Sequence, residues 1–236
     1  MKIQNRLLSK IGIIGIATAL TIIVLVESIF PPWAPYFIIY AILAILIPWL
    51  LRTYQFGSFW TVLKNNWQIT LIIFAIAFIL DEGIFTWLYE HILIGLGLGG
   101  NPYYSVDAAL GLIASNAAQK FNITPDQAMM LYALFILAWA PIGEELFYRG
   151  YIQGALRKHG SFRMSALVSA TFFGIRHATH FFFLWPNIPL AAAISWAVST
   201  FVFGLLMSYL YEKTHSLFPP MLVHLGVNLV ELILSF

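Results

Sequence analysis

Two adjacent carboxylates, Glu144 and Glu145, lie in a stretch that otherwise has the composition of a membrane-buried helix, from Trp139 to Gly150. An ionised acid at the centre of a spanning helix costs about 3 kcal/mol on insertion scales, so such residues usually mark a functional site. A carboxylate held in an apolar environment is also a candidate general acid or base. Other parts of the chain must supply groups that offset the free-energy cost of burying this charge.

On a helix, Glu145 and Arg149 are four residues apart and share a face, which favours an ion pair. Glu144 points about 100° away from that face and therefore has no counter-charge within its own helix. Two more apolar stretches contain polar residues that could complete a site. One includes His177, and the other includes His224 and Asn228, which are again four residues apart on one face.

These side chains are predicted to lie at a similar depth in the membrane. The count starts from the nearest cytoplasmic basic residue, which is Arg157, Arg163 or Lys213. Glu144, His177 and His224 then lie roughly 20, 21 and 16 Å deep at 1.5 Å per residue. A carboxylate, two imidazoles and an amide at one level of three helices are what an active site in a helix bundle requires. We therefore predict a buried polar site that these helices form together.

The composition indicates an integral membrane protein. Hydrophobic residues make up 61% of the 236 residues and charged residues only 9%, against about a quarter charged in a soluble domain. The chain has no cysteine, which excludes disulfides and thiolate ligands, and it has no basic tract that would suggest nucleic-acid binding. We predict an all-α bundle of about seven transmembrane helices, near residues 11–30, 34–51, 67–80, 127–155, 163–185, 190–211 and 217–235.

The distribution of Lys and Arg among the loops predicts a cytoplasmic amino terminus, with Lys120 as the exception on the opposite side. The first span has no small-residue cleavage pattern, so it is expected to stay as an anchor in a protein of the cell membrane.

The segment from Asp81 to Thr124 is too broken to span, and its residues 103–121 are predicted to form an interfacial or re-entrant helix. Thr124 and Gln127 fit a capping box that starts the next helix near residue 125.

Three motifs carry a family resemblance. Glu144 to Gly150 resembles the EExxxRG motif of the CPBP (Abi) family of intramembrane proteases, which includes CAAX prenyl endopeptidases and bacteriocin-processing or immunity proteins. Phe173 to His177 is similar to that family's FxxxH motif, and His224 to Asn228 to its HxxxN motif. The resemblance covers about residues 130–236. It divides the chain into an amino-terminal membrane segment, residues 1–125, and a catalytic core of four spans, residues 126–236.

The resemblance implies an endopeptidase that cleaves a peptide bond of a membrane-associated peptide or protein within the lipid bilayer. By similarity, Glu144 with His177 would activate a water molecule, and His224 with Asn228 would stabilise the oxyanion. The supporting residues would be Glu145, Arg149 and Phe173. Arg176 lies outside the motif inside an apolar run, where it could pair with a carboxylate or tune the charge of the site. The sequence suggests no particular partner for it.

The sequence leaves other reaction types and other functions open. One carboxylate and two histidines could form a three-ligand zinc site, although the helical HExxH spacing is absent, so no metal or other cofactor is assigned. Serine or threonine catalysis is weaker, because nothing ties Ser169 or Thr171 to a base. The same family could also supply a non-catalytic immunity or scaffold protein, and broken helices could line a transport path. No inverted repeat supports the transporter, and the sequence leaves the substrate and the oligomeric state open.

Overall fold

The computed structural model describes residues 7–29, 34–88, 91–92, 94–97, 115, 118–119, 121–179 and 190–234. Within these ranges the chain is helical and forms seven helices. They are α1 (Lys10–Ile29), α2 (Ala34–Leu51), α3 (Phe59–Leu88), α4 (Pro125–Arg157), α5 (Phe162–Ala178), α6 (Leu190–Thr214) and α7 (Phe218–Leu234). The all-α prediction is confirmed.

The third helix is longer than the sequence predicted. It starts at Phe59 rather than near residue 67 and continues past residue 80 to Leu88, so the start of the segment expected to be broken is helical. Its extension passes through a π-helical stretch, Ile79–Phe85, which includes Asp81. Asp81, where the broken segment was expected to begin, therefore lies inside a helix. Most of the predicted interfacial helix, 103–121, lies outside the described residues.

The start of α4 follows the predicted capping box. The side chain of Thr124 accepts a hydrogen bond from the backbone N–H of Gln127 at 3.2 Å, and the Gln127 side chain accepts one from the backbone N–H of Thr124 at 3.0 Å. Pro125 occupies the first helical position, where its missing N–H costs nothing. Two of the donors left unpaired at a helix start are thus satisfied.

Helix α4 lies at the centre of the bundle. It packs against α2, α5 and α7, while α5 packs closely on α6 and α7 packs on α3. The approach of α5 to α6 depends on Gly174, because a Cβ atom there would lie 2.7 Å from the carbonyl oxygen of Ala197. Small residues at such contacts let helix backbones approach closely in membranes. This packing places the carboxylate motif of α4 between the helices that carry the two histidine motifs.

The surface of the bundle is strongly apolar, as a lipid-facing surface is expected to be. Large side chains such as Ile11 and Trp60 are 86% and 76% exposed, a pattern that a soluble protein avoids. Among the described residues, three helical segments are long and apolar enough to cross a membrane, namely Phe59–Leu88, Pro125–Arg157 and Ala193–Thr214. Shorter apolar segments occur in α1, α2 and α7. The protein is a helical membrane bundle.

Candidate active site

The two acidic residues lie in a π-helical stretch of α4, Phe135–Gln153, that contains Pro141. Proline lacks the N–H that an α-helix needs, and π-helical turns occur frequently at functional sites. Every residue from Gly143 to Gln153 is buried. Both carboxylates therefore face the protein interior, which the predicted site requires.

Glu145 forms the predicted ion pair with Arg149. Its Oε2 atom lies 3.2 Å from the Arg149 Nε atom, at an angle outside hydrogen-bond geometry, and both side chains are fully buried. The guanidinium also donates from Nη2 to the carbonyl oxygen of Gly204 at 3.3 Å. Its Cζ atom lies 4.7 Å from the ring centroid of Phe173. Arg149 thus connects the acidic helix to α5 and α6.

The ring of His224 lies between the two acidic residues. Its Nδ1 atom is 2.9 Å from Oε1 of Glu145, and its Nε2 atom is 3.9 Å from Oε2 of Glu144. Glu145 is paired with Arg149 and accepts hydrogen bonds as a carboxylate, so the Nδ1 atom carries the proton in this contact. The other ring nitrogen then faces Glu144. The predicted convergence of α4 and α7 is present in the structure.

Glu144 receives its counter-charge from another helix. Its Oε1 atom lies 3.5 Å from Nη2 of Arg176 on α5, and each of these two side chains is 3% exposed. As expected, Glu144 has no counter-charge within α4, and in the folded protein α5 supplies it. Arg176, for which the sequence suggested no particular partner, contributes this charge.

Arg176 is in turn bordered by an aromatic residue from the amino-terminal half. Its Cζ atom lies 5.6 Å from the ring centroid of Tyr40 on α2. Tyr40 is buried, and its hydroxyl lies 3.2 Å from that of Tyr148 on α4. Sequence reasoning missed Tyr40, because a single tyrosine in an apolar helix has no spacing signal that would distinguish it from a packing residue.

His177 adjoins the site through Phe173. Its Nδ1 atom lies 2.8 Å from the carbonyl oxygen of Phe173, so this nitrogen donates the hydrogen bond. The ring of Phe173 has its centroid 4.4 Å from that of His177 and 6.1 Å from that of His224. Phe173 therefore contacts both imidazoles, while the catalytic role of His177 stays a prediction.

Asn228 connects α7 to the π-helical stretch of α4. Its Nδ2 atom donates to the carbonyl oxygen of Ile136 at 2.7 Å. A side-chain amide has two N–H donors, so this bond orients the group and leaves a second donor. The predicted role in binding an oxyanion is compatible with this arrangement and stays a prediction.

The donor set does not fit a metal ion. In the part of the chain that the structure describes, no three side chains of His, Asp or Glu form a group that could hold one. The two carboxylates and the histidine at the centre of the bundle already make other contacts. Glu145 pairs with Arg149, Glu144 pairs with Arg176, and His224 uses Nδ1 to bind Glu145. We therefore derive no step through a metal.

Fold and site together define a class: a helical membrane protein with a buried centre of two carboxylates, two arginines and histidine. Residues 126–230 match the family model described as type II CAAX prenyl endopeptidase Rce1-like. The resemblance of this segment to the protease family, which the three motifs predicted, is therefore confirmed.

The chain is also similar to the Probable CAAX prenyl protease 2 of Schizosaccharomyces pombe, with 36% identity over 104 residues. That alignment covers 39% of this chain and 38% of the relative, so the chain spans less than two fifths of the relative it matches. No solved structure gives a significant match. The division of the chain at residue 125 stays a prediction.

Proposed function

We propose that this protein is an intramembrane endopeptidase that hydrolyses a peptide bond of a membrane-associated substrate with an activated water molecule. The observation that carries the proposal is the position of Glu144, buried at the bundle centre with one oxygen toward Arg176 and the other toward His224. The match of residues 126–230 to a protease family supports the same activity.

The proposed reaction proceeds in three steps. Glu144 accepts a proton from water, aided by His177, and the resulting hydroxide attacks the carbonyl carbon of the scissile bond. The oxyanion that forms accepts hydrogen bonds from the second N–H of Asn228 and from His224 when its Nε2 atom is protonated. Collapse of the intermediate breaks the C–N bond, and the proton held by Glu144 passes to the leaving amine. Glu144 thus acts first as the proton acceptor and then as the proton donor, and it ends the cycle deprotonated.

The proposed substrate is a peptide anchored in or at the membrane. Access through lipid is consistent with a site inside a bundle whose outer surface is apolar. The name of the yeast relative suggests a prenylated carboxyl terminus of the C-a-a-X type as one candidate class. A leader-bearing peptide and a segment of another membrane protein are the other classes to compare.

The test uses full-length protein reconstituted in liposomes with internally quenched peptides. One peptide carries a farnesylated C-a-a-X terminus, one has the same sequence without the lipid, and one is an apolar membrane-spanning peptide. We expect cleavage of at least one, and a loss of at least about 100-fold in kcat for Glu144→Gln and for His177→Ala.

Glu212→Gln is the matched control. Glu212 pairs with Arg157 at 2.9 Å on the partly exposed end of the bundle, away from the site, so its loss is expected to change kcat by less than about twofold. Full activity of Glu144→Gln would refute the proposed mechanism. Absence of cleavage of every peptide by the folded wild-type protein would instead favour a non-catalytic immunity or scaffold role.

A further inference from the structure

We propose that Arg176, supported by Tyr40, is a positioning residue for Glu144. This inference rests on the proposed function, in which Glu144 is the general base. It assigns a catalytic contribution to two residues outside the three motifs, one of them in the amino-terminal half of the chain.

The two oxygens of the Glu144 carboxylate have different neighbours. Oε1 lies 3.5 Å from Nη2 of Arg176, whereas Oε2 lies 3.9 Å from Nε2 of His224. The contact with the guanidinium therefore determines which oxygen faces the imidazole. A general base must present its accepting oxygen within reach of the water that it deprotonates, directly or through one water molecule.

The charges of the site also require Arg176. Two buried carboxylates face two buried guanidinium groups, so the four charges cancel: Glu144 with Arg176, and Glu145 with Arg149. Removing one partner of a buried pair leaves the other charge uncompensated. Without Arg176, the buried carboxylate of Glu144 would lack this counter-charge and the contact that directs its Oε2 atom toward His224.

Arg176 itself is held by α2. The ring of Tyr40 lies next to the guanidinium, and cation–π contacts of this kind orient arginine without neutralising it. The contact of the Tyr40 hydroxyl with that of Tyr148 fixes the ring against α4. The amino-terminal segment thereby contributes directly to the geometry around the acid.

The first part of the test measures activity. We expect Arg176→Gln to lower kcat by about 100-fold with KM changed less than about threefold, because the base is affected rather than substrate binding. Arg176→Lys keeps the charge, and its kcat is expected to be at least tenfold higher than that of Arg176→Gln. Tyr40→Leu removes the ring next to Arg176 and should lose more than tenfold in kcat.

Arg157→Gln is the matched control for loss of an arginine, because Arg157 pairs with Glu212 at the partly exposed end of the bundle. Its kcat should change by less than about twofold. An Arg176→Gln variant with wild-type kcat would overturn the proposal, as would an Arg176→Lys variant no better than Arg176→Gln.

The second part does not depend on activity. Thermal unfolding is measured for wild type, Glu144→Gln, Arg176→Gln and the double variant. If the two side chains are partners, the double variant unfolds at a higher temperature than the sum of the single losses predicts. Additive losses would overturn the pairing. If wild type cleaves no peptide, the proposed function fails, and this cycle alone still decides whether Arg176 holds Glu144.

Discussion

The Nδ1 atom of His224 lies 2.9 Å from the Oε1 atom of Glu145, a side chain 79 positions earlier in the chain. The contact joins the last helix to the central helix at a point where both side chains are buried. It assigns the Nδ1 proton of the imidazole and directs the opposite nitrogen toward Glu144. Glu145 thereby bridges His224 and Arg149.

Glu145→Gln is expected to lower the free energy of unfolding by about 3–5 kcal/mol, because it leaves the buried guanidinium of Arg149 without a counter-charge. Chemical or thermal unfolding in detergent measures the loss. The double variant Glu145→Gln/Arg149→Met should be more stable than Glu145→Gln alone, since it removes the unpaired charge. Glu212→Gln, at a partly exposed pair, should cost at most about 1 kcal/mol. Equal losses in the two glutamate variants would contradict this prediction.

Gly154→Ala is expected to destabilise the protein by about 1–3 kcal/mol. A Cβ atom at this position would lie 2.6 Å from the carbonyl oxygen of Thr53, which belongs to the connection between α2 and α3. The matched control is Gly15→Ala in α1, where no atom lies within 4 Å of the added carbon. That control should be neutral or stabilise by up to about 1 kcal/mol through helix propensity. The unfolding temperatures of both variants in the same detergent provide the comparison, and an unchanged value for Gly154→Ala would show that the connection can move away.

Thr124→Ala is expected to cost about 1 kcal/mol in the free energy of unfolding, because it removes half of the capping box at the start of α4. Ser58 precedes α3 in the same extended conformation but makes no side-chain capping bond. Ser58→Ala should therefore cost clearly less. Hydrogen exchange at the first turn of each helix reports the difference, and a larger effect at α3 than at α4 would be inconsistent with the capping geometry.

Chelators are expected to leave peptidase activity unchanged, and purified active protein should contain no stoichiometric zinc. The reason lies in the donor set: the carboxylates pair with Arg149 and Arg176, and Glu145 engages His224. Metal analysis of the active preparation, together with activity before and after chelation and after zinc is added back, checks this. Activity that disappears on chelation and returns with zinc would require the site to rearrange around a metal.

Much of the helical framework could be predicted from the sequence. Apart from α3, apolar runs of the right length located most ends of the described helices to within a few residues. Thr124 with Gln127 marked the start of α4, because capping depends on local backbone groups. The start of α3 was predicted near residue 67 instead of at Phe59. Lys64 and the two asparagines after it lower the hydropathy of this segment, although its residues are helical. A polar residue near a helix end does not stop the backbone from forming its hydrogen bonds.

The candidate site could likewise be predicted from the sequence only in part. Spacing within one helix was sufficient to predict the Glu145–Arg149 pair, and the motifs were sufficient to single out His177, His224 and Asn228. The partner of Arg176 could not be found by spacing, because Glu144 is on another helix and the intervening chain does not determine how the two helices are rotated. The contribution of Tyr40 was hidden for the same reason.

The sequence by itself determined that the chain is a helical membrane protein, where most of its helices lie, and which side chains could do chemistry, since these depend on local composition and on periodicity along one helix. Only the tertiary structure decided which charges face each other: Arg176 toward Glu144, and His224 between both acids. Those contacts depend on how helices far apart in sequence pack and rotate against one another, and no local pattern encodes that packing.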